Sequence, residues 1–266
     1  MDVDDRRSQF RLLHESGCFI IPNPHDVGGC RLLTSLGFSA LATTSGGHAA
    51  SMGRMDMTVS RSEIVAHVTA IVKSTHLPVS VDAEQCFPDD SGGVRATIKL
   101  LADAGAAGCS IEDWNPTDCR IEDLDVATAR VAEAAQEADV HGMVLTARAE
   151  NHLHGVHDID DTIQRLKAFR EAGAHVVYAP AVVGLDMVER IVIETGAPVN
   201  VLLVPGGPPA EELERLGVRR LSVGSALTRI AYGAFVQAAR RLLSDGQLDE
   251  FGEYLDRNMA SQSFAS

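Results

Sequence analysis

The chain contains no uninterrupted apolar run of the roughly 18 residues that a membrane-spanning helix needs, so no transmembrane segment is expected. It has no C-x-x-C pair either. Its five cysteines (Cys18, Cys30, Cys86, Cys109 and Cys119) are odd in number and widely spread, which argues against a disulfide framework and against structural zinc. Cys18 and Cys109 fall in apolar runs and read as buried thiols. Basic residues form no long cluster, and the formal net charge is -14. Such a field repels polyanions, so nucleic acid is excluded as a partner, although a small anion can bind where an arginine and a metal overcome the mean field. The start Met1-Asp2-Val3-Asp4-Asp5-Arg6-Arg7 lacks the basic region, apolar core and small-residue cleavage site of a secretory leader. A cytoplasmic protein with no membrane partner is the expectation.

What is present is a repeat of short β-branched runs alternating with helical stretches. A lead-in helix is predicted over Arg6 to Glu15, then a strand at Cys18 to Pro22 and a helix from Val27 to Leu36 capped by Asp26. A second strand spans Ala40 to Thr44. Ser45-Gly46-Gly47-His48 reads as a flexible loop, and a helix begins at Ser60 or Ser62 and runs to about Ser74. Further strands are predicted at Pro78 to Asp82, Gly108 to Glu112, Gly142 to Ala147, His175 to Ala179, Pro198 to Leu203 and Arg220 to Val223. Helices follow at about Gly93 to Ala104, Leu124 to Glu137, Ile159 to Ala172 and Leu185 to Glu194, with a short one after Gly206-Gly207-Pro208-Pro209. Ala226 to Leu243 and Leu248 to Asn258 close the chain as helices. Eight strand-helix units of this size require a closed (β/α)8 TIM-type barrel rather than an open doubly wound sheet. The expectation is a single barrel domain over residues 1–266, with an additional C-terminal helical segment at about 226–258.

In such a barrel, chemistry collects at the C-terminal ends of the strands. Pro78-Val79-Ser80-Val81-Asp82-Ala83-Glu84 delivers two carboxylates there, Cys109-Ser110-Ile111-Glu112-Asp113 delivers more, and Met143-Val144-Leu145-Thr146-Ala147-Arg148 delivers a cation. Hard oxygen ligands on adjacent strands suit a divalent metal such as magnesium, by direct or water-mediated contact. The alternative is a buried ring of salt bridges closing the barrel mouth. Glycines in Ser45-Gly46-Gly47 free backbone amides to cradle a carboxylate or an enolate oxygen. Gly206-Gly207 with Gly224-Ser225 stands where many barrels bind phosphate, but Pro208-Pro209 removes two donors. His152, His154 and His157 have no fixed-face spacing and read as a surface loop. Cys119, beside Arg120, is either a loop acid/base or a bystander, and Cys86 is structural.

Asn23-Pro24-His25-Asp26, Ala42-Thr43-Thr44-Ser45-Gly46, Ser80-Val81-Asp82-Ala83-Glu84, Ser110-Ile111-Glu112-Asp113 and Thr146-Ala147-Arg148 occur in this order. As a set they resemble the isocitrate lyase/phosphoenolpyruvate mutase superfamily over roughly residues 10–240. The resemblance implies an enzyme dependent on Mg2+, or Mn2+ in its place, acting on a small anionic α-oxo or α-hydroxy carboxylate through a pyruvate-like enolate. It implies that Asp82 and Glu84 hold the metal, with Asp56 and Glu112 through waters. Ser45, Gly46, Gly47 and Asn200 would bind substrate and Arg148 would clamp it, with Glu112 and Cys119 as further catalytic groups. It also implies a homotetramer, a dimer of dimers whose C-terminal helices are exchanged. The stretch Trp114-Asn115-Pro116-Thr117-Asp118-Cys119-Arg120 lacks the Lys-Lys/Arg-Cys-Gly-His loop of the isocitrate and methylisocitrate lyases, and keeps the Asn but not the Lys of the phosphonopyruvate-forming mutases. The expected activity is therefore a lyase or decarboxylase that cleaves a carbon–carbon bond of a small dicarboxylate. The alternatives are a carbon–phosphorus enzyme (a carboxyphosphonoenolpyruvate phosphonomutase or phosphonopyruvate hydrolase) and a non-catalytic oxo-acid-binding barrel.

Overall fold

The computed structural model describes residues 1–246 and 254–265. Its strands are β1 (Phe19–Ile21), β2 (Leu41–Ala42), β3 (Val79–Asp82), β4 (Gly108–Glu112), β5 (Trp114–Asn115), β6 (Arg120–Ile121), β7 (Val144–Arg148), β8 (Val176–Tyr178), β9 (Val199–Leu202) and β10 (Arg220–Ser222). Eight of them form one parallel sheet in the order β1-β10-β9-β8-β7-β4-β3-β2. Ala42 N donates to Pro22 O at 3.0 Å, which brings β2 back toward β1 and nearly closes the sheet into the expected TIM-like barrel.

The helices are α1 (Val3–Leu12), α2 (Val27–Ser35), α3 (Ser45–Ser51), α4 (Arg61–Lys73), α5 (Gly93–Asp103), α6 (Leu124–Val140), α7 (Ile159–Glu171), α8 (Leu185–Thr195), α9 (Ala210–Arg215), α10 (Ala226–Asp245) and α11 (Arg257–Phe264). Their starts are set by side chains that satisfy orphan amides. Asp26 accepts from Gly29 N, Asp158 accepts from Asp160 N and Asp161 N, and Ser60 with Glu63 forms a reciprocal capping box. Gly105 (φ +90°) and Gly173 (φ +110°) turn the chain out of α5 and α7 in the left-handed region, where a side chain would be strained. The barrel wall is a continuous apolar cluster of strand and helix residues, with Ile98, Leu101, Leu145, Leu166 and Phe169 fully buried.

Helix α1 plugs the N-terminal end of the barrel. Phe10 is fully buried against Ile21, Ala40, Ala107, Val144 and Val176, a burial worth about 1.5–3 kcal/mol. Gly108 makes room for it, since a Cβ there would lie 2.7 Å from the Phe10 ring and 2.6 Å from Val144 O. Asp2 caps α1 by accepting from Asp5 N, so the helix starts earlier than the apolar pattern suggests and ends at Leu12 rather than Glu15.

Three other local expectations are revised. Ser45-Gly46-Gly47-His48 is not a flexible loop but the start of α3, because Thr44 caps it by accepting from Gly47 N. Residues 114–121 form an antiparallel hairpin, β5 with β6, for which no strand is expected from the sequence. Of the C-terminal helix expected from Leu248 to Asn258, residues 248–253 lie outside the described residues. The helix observed there runs from Arg257 to Phe264 and packs on α2, with Arg31 Nη1 donating to Phe264 O at 2.9 Å and Ser35 Oγ 2.8 Å from Ser263 Oγ. Among the described residues no helix is long and apolar enough to cross a membrane.

Candidate active site

The C-terminal ends of the barrel strands surround a cavity of about 1080 Å³. Strand register sets much of its wall. Glu112, Arg148, Tyr178, Asn200 and Arg220 are successive partners across β4, β7, β8, β9 and β10, so they form one row on the inner face. All five line the cavity, together with Ser45, Gly46, Asp56, Asp82 and Glu150.

Arg148 is the hub of the row. Its Nη1 donates to Asp82 Oδ1 at 2.8 Å, its Nε to Glu150 Oε1 at 2.7 Å, and its Nη2 lies 3.2 Å from Glu112 Oε2. Its guanidinium carbon sits 5.4 Å from the centre of the Tyr178 ring. Burial works to lower the Arg148 pKa, but Glu150, Glu112 and Asp82 overcome it and hold the group charged. A guanidinium has five N–H donors, so three such contacts leave two for a ligand.

Asp82 is fixed from the other side. Ser45 N and Ser45 Oγ donate to Asp82 Oδ2 at 2.9 and 2.8 Å, and Thr43 Oγ1 accepts from Asp82 N at 2.9 Å. Ser45 and Gly47 therefore are not an open cradle: the Ser45 donors serve Asp82, and Gly47 N serves Thr44 Oγ1. The glycines are required by contact. A Cβ on Gly46 would lie 2.8 Å from Asp56 Oδ2, and one on Gly47 would lie 2.5 Å from Thr44 Cγ2 and 2.6 Å from Thr228 Oγ1.

The acids crowd one another. Burial, then the charges of Asp82 and Asp56, raises the Glu84 pKa to about 8. Burial and Asp82 raise Asp56, and burial pushes Glu112 well above the usual carboxylate range against the pull of Arg148. Glu84 Oε1 is buried without a hydrogen-bond partner, and its backbone is held at φ +51°, a left-handed conformation that a non-glycine residue adopts at a cost of about 1–3 kcal/mol. Concentrated carboxylates with raised pKa values and an orphaned oxygen are what a divalent cation would relieve. Among the described residues no three His, Cys, Asp or Glu side chains close into a ready ligand cage. A magnesium ion that keeps most of its waters does not need one, so the donor set fits that ion.

The structure separates the sequence-derived site residues into two groups. Ser45, Gly46, Asp56, Asp82, Glu112, Arg148 and Asn200 share the cavity, whereas Glu84, Gly47 and Cys119 do not line it. Glu84 is buried. Cys119 is exposed on the β5–β6 hairpin, its Sγ 3.5 Å from Pro116 O, and so is not positioned for loop chemistry in this arrangement. The Gly224 amide offered to phosphate is already taken, since Asn23 Oδ1 accepts from Val223 N and Gly224 N at 3.0 Å each.

The sequence of the phosphoenolpyruvate phosphomutase family matches this chain over residues 10–243. The chain belongs to that family. It lies within the isocitrate lyase/phosphoenolpyruvate mutase superfamily. A crystal structure of a candidate lyase/mutase from Burkholderia cenocepacia J2315 superposes with a TM-score of 0.93 at 43% identity, over 99% of this chain and 97% of that one. A probable 2-methylisocitrate lyase of Corynebacterium glutamicum is 30% identical over 81% of this chain and 73% of its own. The 2,3-dimethylmalate lyase of Eubacterium barkeri is 26% identical over 88% of this chain and 84% of its own.

Several lining residues of this family member escaped the sequence reading. Glu150 follows Arg148 at the two-residue period of the strand, a signal that was available. Tyr178 and Arg220 sit in strand runs that looked merely apolar or structural, and only register puts them in the row. The histidine stretch is not simply surface: His152 is buried, and His154 stacks on Trp114 with ring centroids 3.4 Å apart at the cavity wall.

Proposed function

We propose that this protein is a magnesium-dependent lyase or decarboxylase that cleaves a carbon–carbon bond of a small α-oxo or α-hydroxy dicarboxylate through an enolate-like intermediate. The observation that carries this reading is the single guanidinium held by Asp82, Glu112 and Glu150 at the barrel rim, with two donors to spare, where Glu112 and the neighbouring Asp56 and Glu84 have raised pKa values. The relatives, which include lyases and oxaloacetate decarboxylases, support the reaction class.

Asp82, Asp56 and Glu112 would hold the metal, with the buried Glu84 as a neighbour. When bound, the metal supplies Lewis-acid stabilisation of charge on the substrate oxygens. The remaining work falls to the chain. Arg148, immobilised by Asp82, Glu112 and Glu150, presents its free N–H groups to the oxo-acid oxygens, and because it is already oriented it does not reorganise as charge develops. With Glu112 given over to Arg148 and the metal, the enolate carbon takes its proton from solvent after the bond breaks. Decarboxylation needs no further base, which makes it the least demanding chemistry for this site. Among the described residues no Lys lines the cavity. That favours carbon–carbon cleavage over migration of a phosphoryl group.

A homotetramer with exchanged C-terminal helices belongs to the same proposal. Ile230, Phe235 and Leu243 on α10 are 67, 72 and 89% exposed, apolar surface that a second copy could cover.

The deciding assay follows pyruvate or glyoxylate released from a panel of oxo- and hydroxy-dicarboxylates with magnesium, and phosphate released from phosphonopyruvate in parallel. Oxo-acid release abolished by a chelator and by Asp82→Ala is the expected result. Phosphate release would move the protein to carbon–phosphorus chemistry, and silence in both channels with tight oxalate binding would favour a binding protein.

A further inference from the structure

Arg220 is 5% exposed and sits inside the barrel, yet among the described residues no carboxylate lies within ion-pairing distance of it. Its Nε donates to Asn200 Oδ1 at 2.9 Å and its Nη2 to Thr146 Oγ1 at 2.9 Å, both neutral acceptors. Nη1 is buried with no hydrogen-bond partner. Thr146 is two residues before Arg148 on β7, so the guanidinium reaches from β10 across the interior to a layer below the rim. Arg148, in the same row, is held by three acids; Arg220 is held by none.

A buried cation without a counter-ion costs several kcal/mol, and arginines in protein interiors are ordinarily paired. Nothing around Arg220 removes the imbalance. Tyr178 is pushed up to about 12 by burial and stays neutral, and Arg148 is a second cation. His14, towards the plugged end, is neutral as well, with Nδ1 2.8 Å from Phe10 O. Burial lowers the Arg220 pKa to about 10, which still leaves it charged at neutral pH.

We propose that the Arg220 guanidinium is an anion-binding group at the floor of the cavity, which takes the distal carboxylate of the substrate while the oxo-acid head lies at Arg148. This rests on the reading of the site as one for dicarboxylates. The row from Glu112 to Arg220 then has a chemical logic. Its acidic end serves the metal and the reacting head, Tyr178 and Asn200 bridge the middle, and its other end supplies the one uncompensated positive charge. Asn200 acts as a positioning residue, since its Oδ1 orients the Arg220 fork and its Nδ2 is tied to Ser222 Oγ at 2.9 Å.

The test is calorimetric titration of the full chain, with magnesium, against succinate and butyrate, which share a four-carbon length and differ by one carboxylate. The wild type is expected to prefer succinate. Arg220→Met should weaken succinate at least about tenfold, the loss of one charge-assisted contact, with butyrate unchanged, and Arg220→Lys should restore part of the preference. Asn200→Asp gives Arg220 an internal counter-ion without removing it and should lower the succinate preference similarly, so the proposal is decided even where Arg220→Met fails to fold. No preference in the wild type, an equal loss for both ligands, or a preference that survives Asn200→Asp would overturn it. Absence of turnover with an intact, Arg220-dependent succinate preference would sink the proposed reaction and leave this subsite standing. Turnover with a preference that neither variant moves would sink the subsite alone.

Discussion

Arg148 Nη1 meets Asp82 Oδ1 at 2.8 Å although the two residues stand 66 positions apart, on β7 and β3, with β4 between them. The contact joins the two charges on which the site depends, and Glu112 and Glu150 share the same guanidinium. Removing the cation leaves three carboxylates facing one another, two of them buried. Arg148→Met is therefore expected to cost about 3–5 kcal/mol of stability in urea unfolding at neutral pH. Arg148→Lys keeps a point charge but loses the fork, so it should fold nearly normally and raise the substrate concentration needed for half-maximal rate. A wild-type unfolding midpoint for Arg148→Met would show that the acids do not depend on it.

Magnesium should stabilise the protein more strongly as pH rises. Glu84 holds its proton up to about pH 8, and Asp56 and Glu112 are raised as well, so a metal must displace protons to bind. The increase in melting temperature on adding magnesium is expected to be larger at pH 8.5 than at pH 6.5 and to vanish with a chelator. Equal increases at both values would mean that the cation binds elsewhere.

Gly47→Ala sets helix propensity against packing. On propensity alone, alanine inside α3 would gain about 1 kcal/mol. The added Cβ would overlap Thr44 Cγ2 at 2.5 Å and Thr228 Oγ1 at 2.6 Å, an overpacking that costs about 1–3 kcal/mol. Packing should win, giving net destabilisation by chemical unfolding. A stabilised variant would show that α3 and α10 can separate freely at this point.

His14 makes the barrel plug sensitive to acid. Its ring meets Phe10 and Phe19 edge-on, and burial lowers its pKa from 6.5 to about 3. The unfolded chain takes up this proton at a higher pH than the folded chain does. The contribution is thus fully present above 6.5 and is lost as pH falls toward 3, amounting to about 2 kcal/mol between pH 7 and pH 5. His14→Phe, which keeps the ring packing and removes the titration, should flatten the dependence of unfolding free energy on pH over that interval by a comparable amount. An unaltered slope would assign the acid sensitivity to other groups.

Trp114 is the only tryptophan in the chain, and it stacks on His154 at the cavity wall. Burial lowers the His154 pKa, so quenching of the indole by protonated imidazole should appear with a midpoint below 6.5. His154→Gln is expected to abolish that transition. If emission in the variant still titrates, another group reports on Trp114.

The alternation of apolar runs and capped helices determined the barrel, because both periods are local. Asp26, Ser60 and Asp158 mark helix starts by their own hydrogen bonds, and strand β4 falls where its apolar run does. The acids at strand ends and Arg148 were legible for the same reason: a short parallel strand in a barrel delivers its last residues to the rim. Whether those residues meet was not legible. Ser45 is taken up by Asp82, 37 positions away, instead of staying open, Glu84 is buried with an orphaned oxygen, and Cys119 stays exposed on a local hairpin. Arg220 illustrates the limit most clearly. Its sequence surroundings describe an ordinary strand, and only the register of β7 to β10 places its charge in the barrel interior beside Asn200, with no acid to meet it. Pattern along a chain fixes which face a side chain takes, while the stagger between strands fixes which partners share that face.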